Sequence, residues 1–225
     1  MNNSVVIVAA GKSLRMGVNK IFLKLNDKPM IIHTLEAYKE NPNIDEIMLV
    51  IRKKDEEKIK DLLEEYDIKA RLVYGGDHRQ ESSYNGIMQA KGGIILIHDC
   101  ARPLVCQDTI DKVIQSANET GAAISAVRVK DTIKISENGL VRKTIDRKDL
   151  WQVQTPQAFR SDLIRQAHEE AIKDKFTGTD DAVLVERSGK KIAIVNSDYE
   201  NIKITTPDDI KFAEIIIKRR KNNGV

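Results

Sequence analysis

The stretch Val5-Val6-Ile7-Val8-Ala9-Ala10-Gly11-Lys12-Ser13-Leu14-Arg15-Met16-Gly17-Val18-Asn19-Lys20 decides how the chain folds. Its β-branched opening suits a strand buried on both faces of a parallel sheet. Alanines and a glycine follow, and with so little side chain a ligand can approach the backbone closely. A loop leaving the carboxyl end of a strand presents N–H groups that cradle phosphate. Lys12, Arg15 and Lys20 add positive charge there. Taken by itself, the stretch reads equally as a strand followed by a solvated basic turn. Spacing excludes two phosphate loops. A Walker loop needs Lys-Ser/Thr straight after its second glycine, where this chain has Val18-Asn19. The dinucleotide fingerprint needs a glycine where Ser13 stands.

Working outward, strand and helix patterns alternate. Pro29 opens a helix to about residue 40, and 47–51 is a second buried-strand run. Residues 55–66 place Ile59, Leu62, Leu63 and Tyr66 on one helical face. A third strand, 71–74, ends in Gly75-Gly76-Asp77 and leads to a helix at about 82–90, with Ser82 as a candidate cap. A fourth, 94–97, ends in His98-Asp99-Cys100-Ala101-Arg102-Pro103. This alternation predicts an α/β fold, a mostly parallel Rossmann-like sheet with helices on both faces. Ligands in such sheets lie off the carboxyl ends of the strands, so three loops are candidates for one site. In that site Asp77 and Ser82 could hydrogen-bond a base edge. Asp99 could anchor Mg²⁺, directly or through water. A salt bridge between Asp99 and Arg102 is the structural alternative.

Residues 107–120 read as a helix and 122–129 as a strand. Two alternating runs then flank Asn138-Gly139, a type I′ hairpin signal. A lone two-stranded arm, at about residues 131–147, is marginal in water, and a second copy of the chain is the economical partner. Residues 150–159 return to the core and 160–173 form a helix. Thr179, read alone, is a cap residue before a short helix. The last strands are expected at 192–195 and 201–205. Thr206-Pro207-Asp208-Asp209 then starts a final helix that ends in the cations Lys218 to Lys221.

Composition narrows the class. The 225 residues suit a single domain, 1–225, carrying that arm. Basic and acidic residues nearly balance, 37 against 34, and aromatics are only 4%, so neither charge nor stacking surface favours nucleic acid. The pI of 8.7 is all that supports that reading. No run has the length of a membrane span, and the start of the chain has no leader pattern. Cys100 and Cys106 have no metal-ligand spacing. A cytoplasmic protein is expected.

The loop A-A-G-K-S-L-R-M…K resembles that of nucleotidyltransferases that act on sugar nucleotides. More segments follow in order: G-G-D-H-R-Q-E-S, H-D-C-A-R-P, V-K-D-T-I-K, D-R-K-D-L-W, Q-T-P-Q-A-F, T-D-D-A and N-I-K-I-T-T-P-D-D. Together, from Val5 to about Ala213, they resemble the 2-C-methyl-D-erythritol 4-phosphate cytidylyltransferase family of the non-mevalonate isoprenoid pathway. The resemblance implies that CTP and the sugar-alcohol phosphate join, giving 4-diphosphocytidyl-2-C-methyl-D-erythritol and pyrophosphate. It places Ala9, Ala10, Gly76, Asp77 and Ser82 around cytosine and ribose, and Gly11, Lys12, Arg15 and Lys20 around the triphosphate. Arg15 and Lys20 would stabilise the transition state. Asp99 would lie by Mg²⁺ (or another divalent cation) and both substrates, supported by Arg102. Thr132, Arg147, Thr155, Thr179 and Lys203 would hold the acceptor, Arg147 and Lys203 as part of the catalytic set. Thr132 and Arg147 would come from the neighbouring chain of a homodimer. Ser13, where the family often has glycine, and the short stretch before Lys20 are departures from the pattern. A ribitol 5-phosphate cytidylyltransferase on the same scaffold is the nearest alternative, and a non-catalytic nucleotide-binding regulator a more distant one.

Overall fold

The apolar run at the start of the chain forms β1 (Asn3–Val8), and its alternation divides the core. Val5 and Ile7 face one hydrophobic layer and Val6 the other, as period-two side chains on a covered sheet must. The computed structural model describes residues 2–11 and 19–222. After β1 the chain makes the short pair β2 (Lys24–Leu25) and β3 (Lys28–Pro29). It continues through α1 (Met30–Lys39), β4 (Glu46–Ile51), α2 (Glu56–Glu65), β5 (Arg71–Tyr74), α3 (Arg79–Gln89) and β6 (Ile94–Asp99). Then come α4 (Gln107–Thr120), β7 (Ala122–Arg128), the arm strands β8 (Ile133–Glu137) and β9 (Leu140–Ile145), and β10 (Trp151–Arg160). The last elements are α5 (Ser161–Lys173), α6 (Ala182–Arg187), β11 (Ala193–Asn196) and α7 (Pro207–Asn222).

Seven strands form the main sheet in the order β11-β7-β10-β6-β1-β4-β5. All neighbours pair in parallel except β10, which runs against both β6 and β7. The chain leaves β1 toward β4 and β5, then crosses back to place β6 on the other side of β1. This reversal is the switch point where open α/β sheets bind ligands. The register pairs Val8 with Asp99, so the first loop and the β6 terminus leave the sheet side by side.

Three expectations need correction. α3 begins at Arg79 rather than Ser82, so Ser82 is a helix-interior residue and not a cap; its hydroxyl bonds the His78 carbonyl one turn back, at 3.0 Å. Residues 201–205 form no strand; Ile204 makes one backbone bond, to the Ala101 carbonyl, and the segment follows the loop after β6 rather than a sheet edge. Thr179 is not the cap of α6: the Asp180 carboxylate accepts from the Val183 amide at 3.0 Å, and Asp181 occupies the cap position. The arm does form, with Asn138 at φ 50° and Gly139 at φ 80°, the conformation a type I′ turn requires.

Candidate active site

Two cavities open at the carboxyl ends of β1, β5 and β6. The first, about 380 Å³, is lined by Ala9, Ala10, Gly11, Lys20, Gly76, Asp77, Arg79, Ser82, Asp99 and Lys203, among others. The second, about 250 Å³, is lined by Arg79, Asp99, Arg102, Thr155, Thr179 and Lys203, among others. The structure thus gathers residues more than 190 positions apart in the chain. Lys12 and Arg15 lie outside the described residues. Thr132 and Arg147 line neither cavity; both are exposed at the base of the arm, where the Arg147 guanidinium donates to the Lys130 carbonyl.

Small residues let the loops meet. A Cβ on Gly75 would lie 2.4 Å from the Ala10 Cβ and 2.8 Å from the Ser82 hydroxyl, so only glycine fits there. Ser82 accepts from the Gly76 amide at 3.2 Å, and Glu81 accepts from the Asp77 amide at 2.7 Å. The turn that faces the first cavity is therefore held by the first turns of α3.

Arg79, Asp99 and Lys203 line both cavities and form their common wall. The Asp99 carboxylate pairs with Arg79 Nε at 3.0 Å and with Lys203 Nζ at 2.5 Å. Its ion-pair partners are these two rather than Arg102, so the structural alternative, an Asp99–Arg102 bridge, does not form. Arg102 turns instead to the Asn201 carbonyl, at 2.7 Å, because the 201–205 segment runs beside it. Burial alone would raise the Asp99 carboxyl, but Arg79 and then Lys203 overturn this and hold it well below the usual carboxylate range. Burial likewise works against the Arg79 charge; Asp181 and Asp99 outweigh it and raise the guanidinium above its ordinary range. Lys20 reaches across the first cavity and donates to the Ile204 carbonyl at 2.8 Å.

His98 packs beneath this wall, fully buried, and burial lowers its imidazole to about 4. It is neutral at pH 7 and too weak a base to be poised for proton transfer, as expected for a packed strand-end histidine. Cys100 is also buried, and desolvation pushes its thiol up to about 12, which leaves it an inert packing residue. Sequence reading missed Arg79 altogether. Its only signal was a cation opening the helix after the glycine turn.

A charged wall thus separates two cavities at the switch point of the sheet. A model of the 2-C-methyl-D-erythritol 4-phosphate cytidylyltransferase family matches residues 4–219. The chain belongs to this family. This cytidylyltransferase is 48% identical to the enzyme of that name from Bacillus velezensis, over 99% of both chains. It is 46% identical to that of Geobacillus kaustophilus, over 98% of this chain and 99% of the relative. Among solved structures it resembles the 4-diphosphocytidyl-2C-methyl-D-erythritol synthase of Anaerococcus prevotii, with a TM-score of 0.87 and 36% identity over 97% and 99% of the two chains. The Thermus thermophilus cytidylyltransferase gives 0.82 and 30%, over 97% and 100%. The activity is that of the family: CTP and 2-C-methyl-D-erythritol 4-phosphate are its substrates, and the ribitol phosphate alternative is not favoured.

Proposed function

We propose that the first cavity takes CTP, the second takes the acceptor phosphate, and the transfer occurs across the Arg79–Asp99–Lys203 wall. The common wall supports this reading, because its three residues line both cavities. The glycine turn with Asp77 and Ser82 faces the cytosine and ribose; Ala9 to Gly11 and Lys20, with Lys12 and Arg15, take the triphosphate. Arg102 faces the acceptor with Lys203, and its Nε is buried without a protein partner among the described residues, an N–H suited to a phosphate oxygen. Thr155 and Thr179 complete that wall.

The chemistry follows from charge. An anionic oxygen of the acceptor phosphate attacks the α-phosphorus in line; a new P–O bond forms as the bond to the β-phosphate oxygen breaks, and pyrophosphate leaves with that electron pair. The nucleophile carries no proton that must be removed, so no general base is needed. Repulsion between anions is the obstacle, and positioned cations lower it.

A divalent cation would be held mainly by the triphosphate. Among the described residues no cluster of three metal-ligating side chains exists, and both Asp99 oxygens already face cations. That donor set fits Mg²⁺ retained through its own waters, with Asp99 as the outer anchor. When bound, Mg²⁺ would neutralise phosphate charge.

A homodimer is part of this reading. Ile135, Leu140 and Val141 are exposed on an arm that a second chain would cover, and Thr132 and Arg147 at its base would reach the partner's acceptor cavity. The free thiols of Cys100 and Cys106 suit a reducing compartment such as the cytoplasm.

Pyrophosphate release tests the assignment. Wild type should release it with CTP and methylerythritol phosphate, and much less with ribitol 5-phosphate. Lys20→Ala should lower kcat by roughly 10²–10³, the scale for one preorganised transition-state contact. A raised KM with unchanged kcat would make Lys20 a binding residue only.

A further inference from the structure

Behind the wall, one histidine–carboxylate hydrogen bond and three ion pairs run in series from the interior to the substrate side. His168 on α5 meets Asp181 Oδ1 through Nε2 at 3.1 Å. Asp181 Oδ2 takes Arg79 Nη1 at 2.8 Å, Arg79 Nε takes Asp99 Oδ1 at 3.0 Å, and Asp99 Oδ2 takes Lys203 Nζ at 2.5 Å. The inner two members, His168 and Asp181, are no more than 1% exposed and line neither cavity. The outer three line both.

The His168 imidazole has one polar task. A carboxylate only accepts, which assigns the shared proton to Nε2; Nδ1 is buried with no partner among the described residues. Its ring stacks obliquely on Tyr84, at 6.0 Å, and its one hydrogen bond among the described residues goes to Asp181. Asp181 in turn spends its other oxygen on Arg79. A guanidinium held by one carboxylate can pivot on its long side chain, whereas two carboxylates on separate nitrogens fix its plane. A buried ion pair is a poor device for stability alone, because desolvation offsets the attraction. Placed one step behind a wall that faces two polyanions, it is a good device for alignment.

We propose that Asp181, braced by His168, is a positioning residue for cytidylyl transfer: it fixes the Arg79 guanidinium and, through Asp99, the Lys203 ammonium that holds the acceptor phosphate in line with the α-phosphorus. This rests on the reading of the two cavities given above. Loss of Asp181 should act on the chemical step more than on CTP binding, since Asp181 lines neither cavity and the glycine turn is held by Ser82 and Glu81.

Steady-state pyrophosphate release by wild type, Asp181→Asn, His168→Gln and His168→Phe tests it, with unfolding midpoints measured alongside. Asp181→Asn should lower kcat by roughly 10², the scale for a misplaced reactant, while KM for CTP stays within about threefold. His168→Gln keeps an amide donor near the Nε2 position and should retain most activity. His168→Phe keeps the ring volume against Tyr84 but donates nothing, and should lose about tenfold or more in kcat. A merely structural role reverses this order, because phenylalanine preserves the packing better. The proposal is overturned if Asp181→Asn keeps kcat within about threefold of wild type, or if His168→Phe matches or exceeds His168→Gln. Should Asp181→Asn fail to fold, the order of the two His168 variants decides. Wild type that released no pyrophosphate from CTP and acceptor would refute the cavity assignment itself; active wild type with an equally active Asp181→Asn refutes the positioning role alone.

Discussion

The Thr155 hydroxyl has one proton to give and lone pairs to accept with. The Asp99 amide donates to it at 3.0 Å. His98 Nε2 faces the Arg102 carbonyl at 3.0 Å and must carry its hydrogen, so Nδ1, 3.1 Å from Thr155 Oγ1, is the acceptor for the threonine proton. The buried chain therefore runs from the Asp99 amide through Thr155 and His98 to the Arg102 carbonyl, and it fixes the backbone on both sides of the wall. Thr155 was expected on the acceptor, and it does line that cavity, but its proton is committed to His98. Thr155→Val should destabilise the fold by about 2–4 kcal/mol, because it strands a buried N–H and a buried ring nitrogen together. Thr155→Ser keeps the hydroxyl and should cost about 1 kcal/mol, for the lost methyl. Urea unfolding of the two variants checks this; a larger loss for Thr155→Ser than for Thr155→Val would mean that the methyl, not the hydroxyl, matters. At this scale the sequence pointed to Asp99 and Lys203 through their motifs. Arg79 and Asp181 escaped, because an ion pair across 102 positions leaves no local mark.

Elements were legible where periodicity was strong. The boundaries of β5 and α4 and the Asn138-Gly139 turn agree with expectation, since each has a clean apolar pattern or an unambiguous turn pair. The start of α3 was misplaced because Ser82 looks like a cap, while the true first turn, Arg79-Gln80-Glu81, is polar and carries no periodic signal. Residues 201–205 were misread as a strand for the opposite reason. Ile202 and Ile204 alternate like one, yet Ile204 packs into the small core beneath α7 with Leu25, Met30 and Leu104. α3 also has a tight point of contact: a Cβ on Gly86 would sit 2.4 Å from Val6 Cγ1 and 2.8 Å from Val50 Cγ2. Alanine is the better helix former by about 1 kcal/mol, but overpacking against two strands costs about 1–3 kcal/mol. Gly86→Ala should therefore lower the unfolding midpoint, and by pushing α3 outward it should raise KM for CTP through the glycine turn. A midpoint at or above wild type would show that β1 and β4 yield more readily than their burial suggests.

At the scale of the whole molecule, the chain carries a feature that it does not satisfy by itself. β8 and β9 pair only with each other, outside the main sheet, with Leu140 74% and Val141 66% exposed at the tip. Two strands without a covering layer are marginal in water, and among the described residues no other strand pairs with the arm. The Asn-Gly pair and alternating runs made the arm legible in the sequence; a surface covering it would leave no periodicity in one chain, so a second copy stands there only as the economical partner. If a second copy covers it, Arg147 of one chain completes the acceptor cavity of the other, beside that chain's Lys20. Co-expression of Lys20→Ala with Arg147→Ala tests this. In a mixed dimer one site receives an intact Lys20 from one chain and an intact Arg147 from the other, and the second site receives both defects. Random pairing makes about half the dimers mixed, so roughly a quarter of all sites should be wild type. Pyrophosphate release should then recover to about that fraction, far above either variant alone. If Arg147 serves its own chain, every site carries one defect and mixing restores nothing.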